Sequence, residues 1–461
     1  STVTLTIAFT GRIQAWDQGG IYTNDKSEST TTGIGVSATQ GVLLTHFEVS
    51  LARLAFPCPD DPQQYRLIWQ LQSLQLPSLY SLVTSNTSEI MKKTMGNKGI
   101  QYSFAPIGPL PAYVLAFAAF SGSVEVVETT LHTRKPLSTL VEDNNKNNNN
   151  KCNTMGIRNY NNVETILPLR VITSKTSGVS LSMLNQIAYI AQEAVRLLED
   201  FFAAPLPLQQ LPFSENFEHQ EEMLTIVVAP TMPYISGMEH HSCIFLNETI
   251  YRTSQNNNNN NNSSSGSGSS GNSNNNNNTK GSSKQQATSS DEVSRVELIV
   301  HELAHHWVGN ALGMPFVLKE GVCLLLEQCF CDIIMGKPMR KIKPSGDTLS
   351  STFITPAPSV STTSSRTESS LTVSTATTVV DTEKGKEFTG YSYQKALNTL
   401  RDVVSRMGFS TFKERMQYMY FNEVMKHSEN CGEEDYNSHF SVKDYLTPYV
   451  RADEFLAYMG T

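Results

Sequence analysis

Residues 293–310 read Val293-Ser294-Arg295-Val296-Glu297-Leu298-Ile299-Val300-His301-Glu302-Leu303-Ala304-His305-His306-Trp307-Val308-Gly309-Asn310, and the rest of the chain is best read outward from them. Val293, Val296, Leu298, Ile299 and Val300 form a strongly apolar helix start, preceded by Ser289 and Glu292 at the spacing of a capping box. A buried helix is expected here. His301 and His305 are four residues apart, just over one turn, so both imidazoles leave the same face toward one point. Glu302 lies about 100° round the helix from His301, placed to reach a water beside a shared ion rather than to hold the ion. Imidazole and carboxylate ligands with one open position suit a single zinc ion per chain, whose water ionises at about pH 7.

Such a site needs a third protein ligand. Glu320 is the candidate, because Lys319-Glu320-Gly321 opens a further apolar helical run, Val322 to Leu326, and a carboxylate at a helix start can face back to the first helix. His306 reads as a neighbour of the ligands or a surface residue, and His240 and His241 show no ligand spacing.

The chain has 461 residues, 39% of them apolar, enough for two domains or more. A net charge of −8 gives no basic footprint for nucleic acid, and no dense Lys/Arg run suggests a membrane surface. Nothing in the sequence sets an oligomeric state. The seven cysteines are scattered without the spacing of a disulfide framework or a thiolate zinc site, and read as mostly reduced thiols. No leader pattern opens the chain and no apolar stretch approaches the roughly 20 residues that span a bilayer, so a cytoplasmic protein is expected.

Period-two alternation over Thr2 to Phe9 predicts an opening strand, and short apolar runs such as Leu67 to Leu71 and Tyr113 to Phe120 continue the pattern between turn residues. An antiparallel β domain over 1–135 follows, then a low-complexity linker over 136–160 containing the Asn/Lys run Asn144 to Lys151. Beyond it the period changes. Leu184, Ile187, Ala188, Ala191, Val195 and Leu198 fall at helical spacing before Pro205 and Pro207, and a mainly helical domain is expected over 161–461. Two insertions within it are expected to be loops: about 254–290, too polar to bury anything and solvated, and about 345–382, Ser/Thr-rich with a few β-branched residues and mobile.

With these elements in order, the sequence resembles the gluzincin aminopeptidases of the aminopeptidase N and leukotriene hydrolase type. His301 to Asn310 is similar to that family's zinc helix, and Leu318-Lys319-Glu320-Gly321 to its Leu-Asn-Glu-Gly third-ligand segment. Gly237-Met238-Glu239 lies upstream as in the family's Gly-x-Met-Glu-Asn motif, and Tyr393-Gln394-Lys395-Ala396 downstream is similar to its Tyr-Glu-Lys-Gly. Thr45-His46-Phe47-Glu48, Ala52-Arg53, Phe56-Pro57-Cys58-Pro59-Asp60-Asp61-Pro62 and Pro111 to Phe117 match N-terminal segments in the right order. The likeness covers about residues 5–425.

The resemblance implies an α+β architecture, an N-terminal antiparallel β-sheet saddle domain followed by a thermolysin-like, mainly helical catalytic domain. It implies zinc held by His301, His305 and Glu320, Glu302 as general base, and Tyr393 rather than Tyr391 as hydrogen-bond donor to the oxyanion. Glu239 and Glu48 would pair with a substrate's N-terminal ammonium, with Met238, Gly237 and His46 lining that side. The implied reaction removes N-terminal residues from peptides with a free N-terminus. The alternatives are a non-catalytic scaffold member, or epoxide hydrolysis or endopeptidase action on the same site. Departures stand at His240 for the motif's Asn, Ser236 for its first Gly and His46 for a Gln, and 14 residues separate His305 from Glu320 where the family usually has eighteen. A member lacking the family's C-terminal helical domain is expected.

Overall fold

A computed structural model describes residues 4–15, 18–23, 41–48, 50–59, 65–134, 164–208, 222–230, 232, 235–252, 283–345, 390–425 and 449–460, with the side chains of 164, 283–289 and 425 excepted. The N-terminal part is mostly β-sheet and a helical region follows, giving an α+β fold. Strands β1 (Gly20–Thr23), β2 (Val42–His46), β9 (Phe117–Ser121) and β5 (Tyr80–Ser85) form an antiparallel four-stranded sheet in that spatial order. Smaller ladders join β3 (Leu67–Trp69) to β8 (Ile107–Leu110), and β4 (Leu74–Leu76), β7 (Ile100–Phe104) and β6 (Glu89–Thr94) to one another. The expected opening strand does not form over its described residues. Among the described residues 4–13 none lies in a strand, and Leu5, Ile7 and Phe9 are exposed. Alternation makes a strand only where a neighbouring edge supplies the ladder, and among the described residues none pairs with this segment.

A second sheet, mixed and five-stranded, runs β10 (Val124–Arg134), β11 (Glu164–Ser174), β12 (Leu224–Ala229), β14 (Cys243–Asn247), β13 (Gly237–Met238). The first pair is antiparallel over eleven residues, Val124 facing Ser174 through to Arg134 facing Glu164. Residues 124–134 belong to the sheet of the second half, and the turn composition that marked the boundary could not reveal a ladder whose partner begins thirty residues on, at Glu164. The linker 136–160 and Asp60, Asp61 and Pro62 lie outside the described residues, as do the two insertions apart from their margins.

Helix α1 (Leu181–Phe202) is the one read from its apolar period, capped where the Ser180 hydroxyl accepts the Met183 N–H. Its buried face, Leu184, Ile187, Ala191, Val195 and Leu198, shares one core with Val300, Leu303 and Trp307 of the segment that carries the two histidines. Trp307 stacks on Phe202 with ring centroids 5.6 Å apart. Burying several large side chains, at about 1.5–3 kcal/mol each, fixes that segment against the sheet. The segment opens with helix α2 (Ser283–Ala304), which ends one residue before His305 and begins before the expected cap at Ser289, because Lys284, Gln285, Gln286 and Ala287 are good helix formers. Helix α3 (Phe316–Ile334) follows Pro315, so Glu320 lies in its second turn rather than at its start. Helix α4 (Gly390–Met407) includes Tyr393 in its first turn. The short helices α5 (Phe409–Tyr420) and α6 (Ala452–Met459) pack through Phe412, Met416, Phe455 and Met459 onto the same core.

Candidate metal centre

The end of α2 and the second turn of α3 meet beneath the edge strand β13. His301 Nε2, His305 Nε2 and Glu320 Oε2 form a triangle with sides of 3.1, 3.3 and 3.6 Å. A tetrahedral ion about 2.0–2.1 Å from such donors sets them roughly 3.3 Å apart, so the three atoms fit zinc as they stand. All three residues are buried, and among the described residues they are the one cluster of His, Cys, Asp and Glu donors close enough to hold a metal. Two imidazole lone pairs facing each other also call for a cation between them.

The opposite nitrogen of each ring is engaged, which points the free lone pairs inward. His301 Nδ1 donates to Glu327 Oε2 at 2.8 Å, and His305 Nδ1 donates to the Val308 carbonyl at 3.1 Å, with the Cys323 sulfur 3.3 Å away. Burial pushes the Cys323 thiol well up, so it stays protonated. Glu327 went unread in the sequence. Its signal was there: seven residues after Glu320, two turns along α3, it shares the face of the ligand.

Glu302 lies buried beside this triangle. Burial, opposed by His301 and reinforced by the charges of Glu239, Glu320 and Glu48, pushes its carboxyl well above the usual range. The backbone at Gly237 approaches so closely that a β-carbon there would overlap the Glu302 carboxylate. Burial alone would push Glu320 up, but Lys319, then His305 and His301, outweigh it and hold Glu320 well below the usual range, in the ionised form a metal needs.

Glu239 follows β13, and Glu48 follows β2 of the first sheet; both are buried. They converge on one atom, Nζ of Lys319, which donates to Glu48 Oε1 at 2.7 Å and Glu239 Oε1 at 2.7 Å and lies 3.0 Å from Glu320 Oε1. Burial alone would lower Lys319, but Glu239 and then Glu48 outweigh it and hold the ammonium form firmly. Burial, the Glu239 charge and the opposing Lys319 leave Glu48 pushed up to about 8. Lys319 also escaped the sequence reading. The signal was its charge at a position where the resembled segment carries a neutral Asn.

The remaining site residues are placed as follows. Met238 is buried in β13, between Gly237 and Glu239. His46, at the end of β2, is buried and held down to about 4 by that burial, with Glu239 opposing. Tyr393 is half-buried, its ring 5.6 Å from Phe316, whereas Tyr391 is 76% exposed. Burial first, then the charges of Glu320 and Glu48, keep the Tyr393 phenol protonated and able to donate. His306 is not a surface residue: it is fully buried, and its Nε2 accepts the Ser242 N–H at 3.1 Å. His240 and His241 are buried too, His241 against the His306 ring at 5.4 Å.

Two residues tie the sheets to the end of α2. Arg66 of the N-terminal part, fully buried, donates to the Gly309 and Asn310 carbonyls. Asn310 in turn donates to the Glu239 carbonyl at 2.9 Å, fixing the strand that carries Glu239 to the turn after His305. Arg66 donates to the turn that carries Asn310, so the β part takes part in shaping the site.

The profile of the peptidase family M1 domain matches residues 279–444, and that of the peptidase M1 N-terminal domain matches residues 1–114. Together they cover more than half of the chain. No curated protein matches it. Among the described residues, no helix is long and apolar enough to cross a membrane.

Proposed function

Because the chain belongs to peptidase family M1, we propose that it is a zinc-dependent hydrolase that removes residues from the N-termini of peptides. The observation that carries this reading is the donor triangle of His301, His305 and Glu320 with Glu302 beside it. Zinc held there supplies a Lewis acid for the scissile carbonyl and lowers the pKa of water to about 7.

The chain's own residues divide the remaining work. Glu302 takes the proton of the attacking water and delivers it to the leaving amine. Tyr393 donates a hydrogen bond to the oxygen that gains charge as the carbonyl becomes tetrahedral. Glu239 and Glu48 bound the end of the site that receives the peptide's first residue, and a carboxylate pair there fixes how deep the substrate enters. Glu327 and the Val308 carbonyl hold the imidazoles in the tautomer that leaves both Nε2 atoms free.

The test is hydrolysis of a panel of aminoacyl and acyl-aminoacyl fluorogenic amides by the purified chain, with and without a zinc chelator. Cleavage that stops on chelation and returns with added zinc supports the reading. Chelator-insensitive cleavage, or none from zinc-loaded protein, would overturn it.

A further inference from the structure

We infer that the Lys319 ammonium occupies the place a peptide's own N-terminal ammonium would fill, so that the site accepts peptides whose N-terminal amine is acylated. The inference rests on the reading of Glu239 and Glu48 as the end that receives the first residue. Lys319 Nζ lies 2.7 Å from Glu48, 2.7 Å from Glu239 and 3.0 Å from Glu320, so its three N–H bonds have three carboxylate acceptors. The side chain is 0% exposed. The ring of Tyr113, its centroid 5.1 Å from Nζ, and that of Phe316 at 5.9 Å close the cation in further. A lysine so enclosed does not swing aside as a surface lysine would.

An incoming ammonium would therefore share two carboxylates with a cation already bound, in a place shut from water where like charges repel strongly. An acylated amine brings no such charge. Its amide N–H needs only an acceptor, and Glu48 and Glu239 each have a second oxygen that Lys319 does not use. A neutral residue at 319 would leave both carboxylates to be balanced by the substrate, which is the condition for selecting a free N-terminus.

The test uses the zinc-loaded full chain and two zinc-binding probes that differ at one group, leucine hydroxamate and N-acetyl-leucine hydroxamate, with dissociation constants measured by calorimetry. Hydrolysis of leucyl and acetyl-leucyl aryl amides is measured in parallel. The acetylated probe and substrate are expected to do at least as well as the free amines, and Lys319→Asn is expected to shift both ratios toward the free amine by about tenfold or more. Should that variant not fold, Lys319→Met with Glu48→Gln removes one charge of each sign, keeps Glu239, and is expected to give the same shift. Tenfold preference for the free amine in the unaltered chain, or ratios that neither variant moves, would overturn the inference. Binding ratios as expected with neither amide cleaved would instead end the peptidase reading and leave the lysine assignment standing.

Discussion

Gly237 lies against Glu302 so closely that the strand carrying the first sets the position of the second: a β-carbon at 237 would overlap the carboxylate. The obstacle is the far end of a flexible side chain, so a methyl there displaces Glu302 rather than the strand. Gly237→Ala is expected to lower kcat/KM by roughly 10–100-fold, the scale of a misplacement of about 1 Å in a catalytic group. The thermal midpoint should hardly move. Steady-state kinetics alongside a melting curve checks both, and full activity in the variant would show that Glu302 is not the base.

The Glu327 carboxylate should act on metal affinity before it acts on the reaction. Glu327→Ala frees His301 Nδ1, now held at 2.8 Å, and is expected to weaken zinc binding by roughly 10–100-fold. Competition against a chelator of known affinity measures this directly.

Gly321, next to Glu320, is where α3 and α4 cross. A β-carbon there would lie 2.7 Å from the Ala396 carbonyl oxygen and 2.5 Å from Leu400 Cδ2. Gly321→Ala is expected to cost about 1–3 kcal/mol through overpacking, more than the ~1 kcal/mol that alanine gains over glycine in a helix. Urea denaturation reads the loss, and α4 carries Tyr393, so activity should fall with it.

Away from the centre, Glu199 gives a pH dependence of stability. Its Oε1 accepts the Leu206 N–H at 2.9 Å and the Arg134 N–H at 3.1 Å, and burial outweighs these donors and pushes the carboxyl from 4.5 up to about 7. The folded chain then binds the proton more tightly than the unfolded one. Its contribution is full below about pH 4.5 and is lost as pH rises through about 7. Glu199→Gln keeps the acceptor without the charge. Its stability relative to the unaltered chain should rise by roughly 1–3 kcal/mol between about pH 5 and about pH 8.

What was legible in the sequence was what lies close along the chain. His301, Glu302 and His305 share one turn, and the apolar period from Leu184 to Leu198 is one helix face, so spacing alone places them. The site's charge balance was not legible. Lys319 meets Glu239 across 80 residues and Glu48 across 271, and no local pattern records such a meeting. Glu327 is an intermediate case, readable once Glu320 is on a helix. The alternation over Thr2 to Phe9 misled for the opposite reason: period two reports a strand's side chains, while the strand itself depends on a neighbouring edge, and none pairs with this segment among the described residues.

The most direct measurement of the central claim is zinc content by mass spectrometry together with peptide-amide hydrolysis, for the unaltered chain and for Glu302→Gln. The account predicts about one zinc per chain in both proteins, since Glu302 holds no metal, with hydrolysis reduced by at least about a hundredfold in the variant. Substoichiometric zinc in the unaltered chain under saturating conditions, or hydrolysis that survives the substitution, would contradict it.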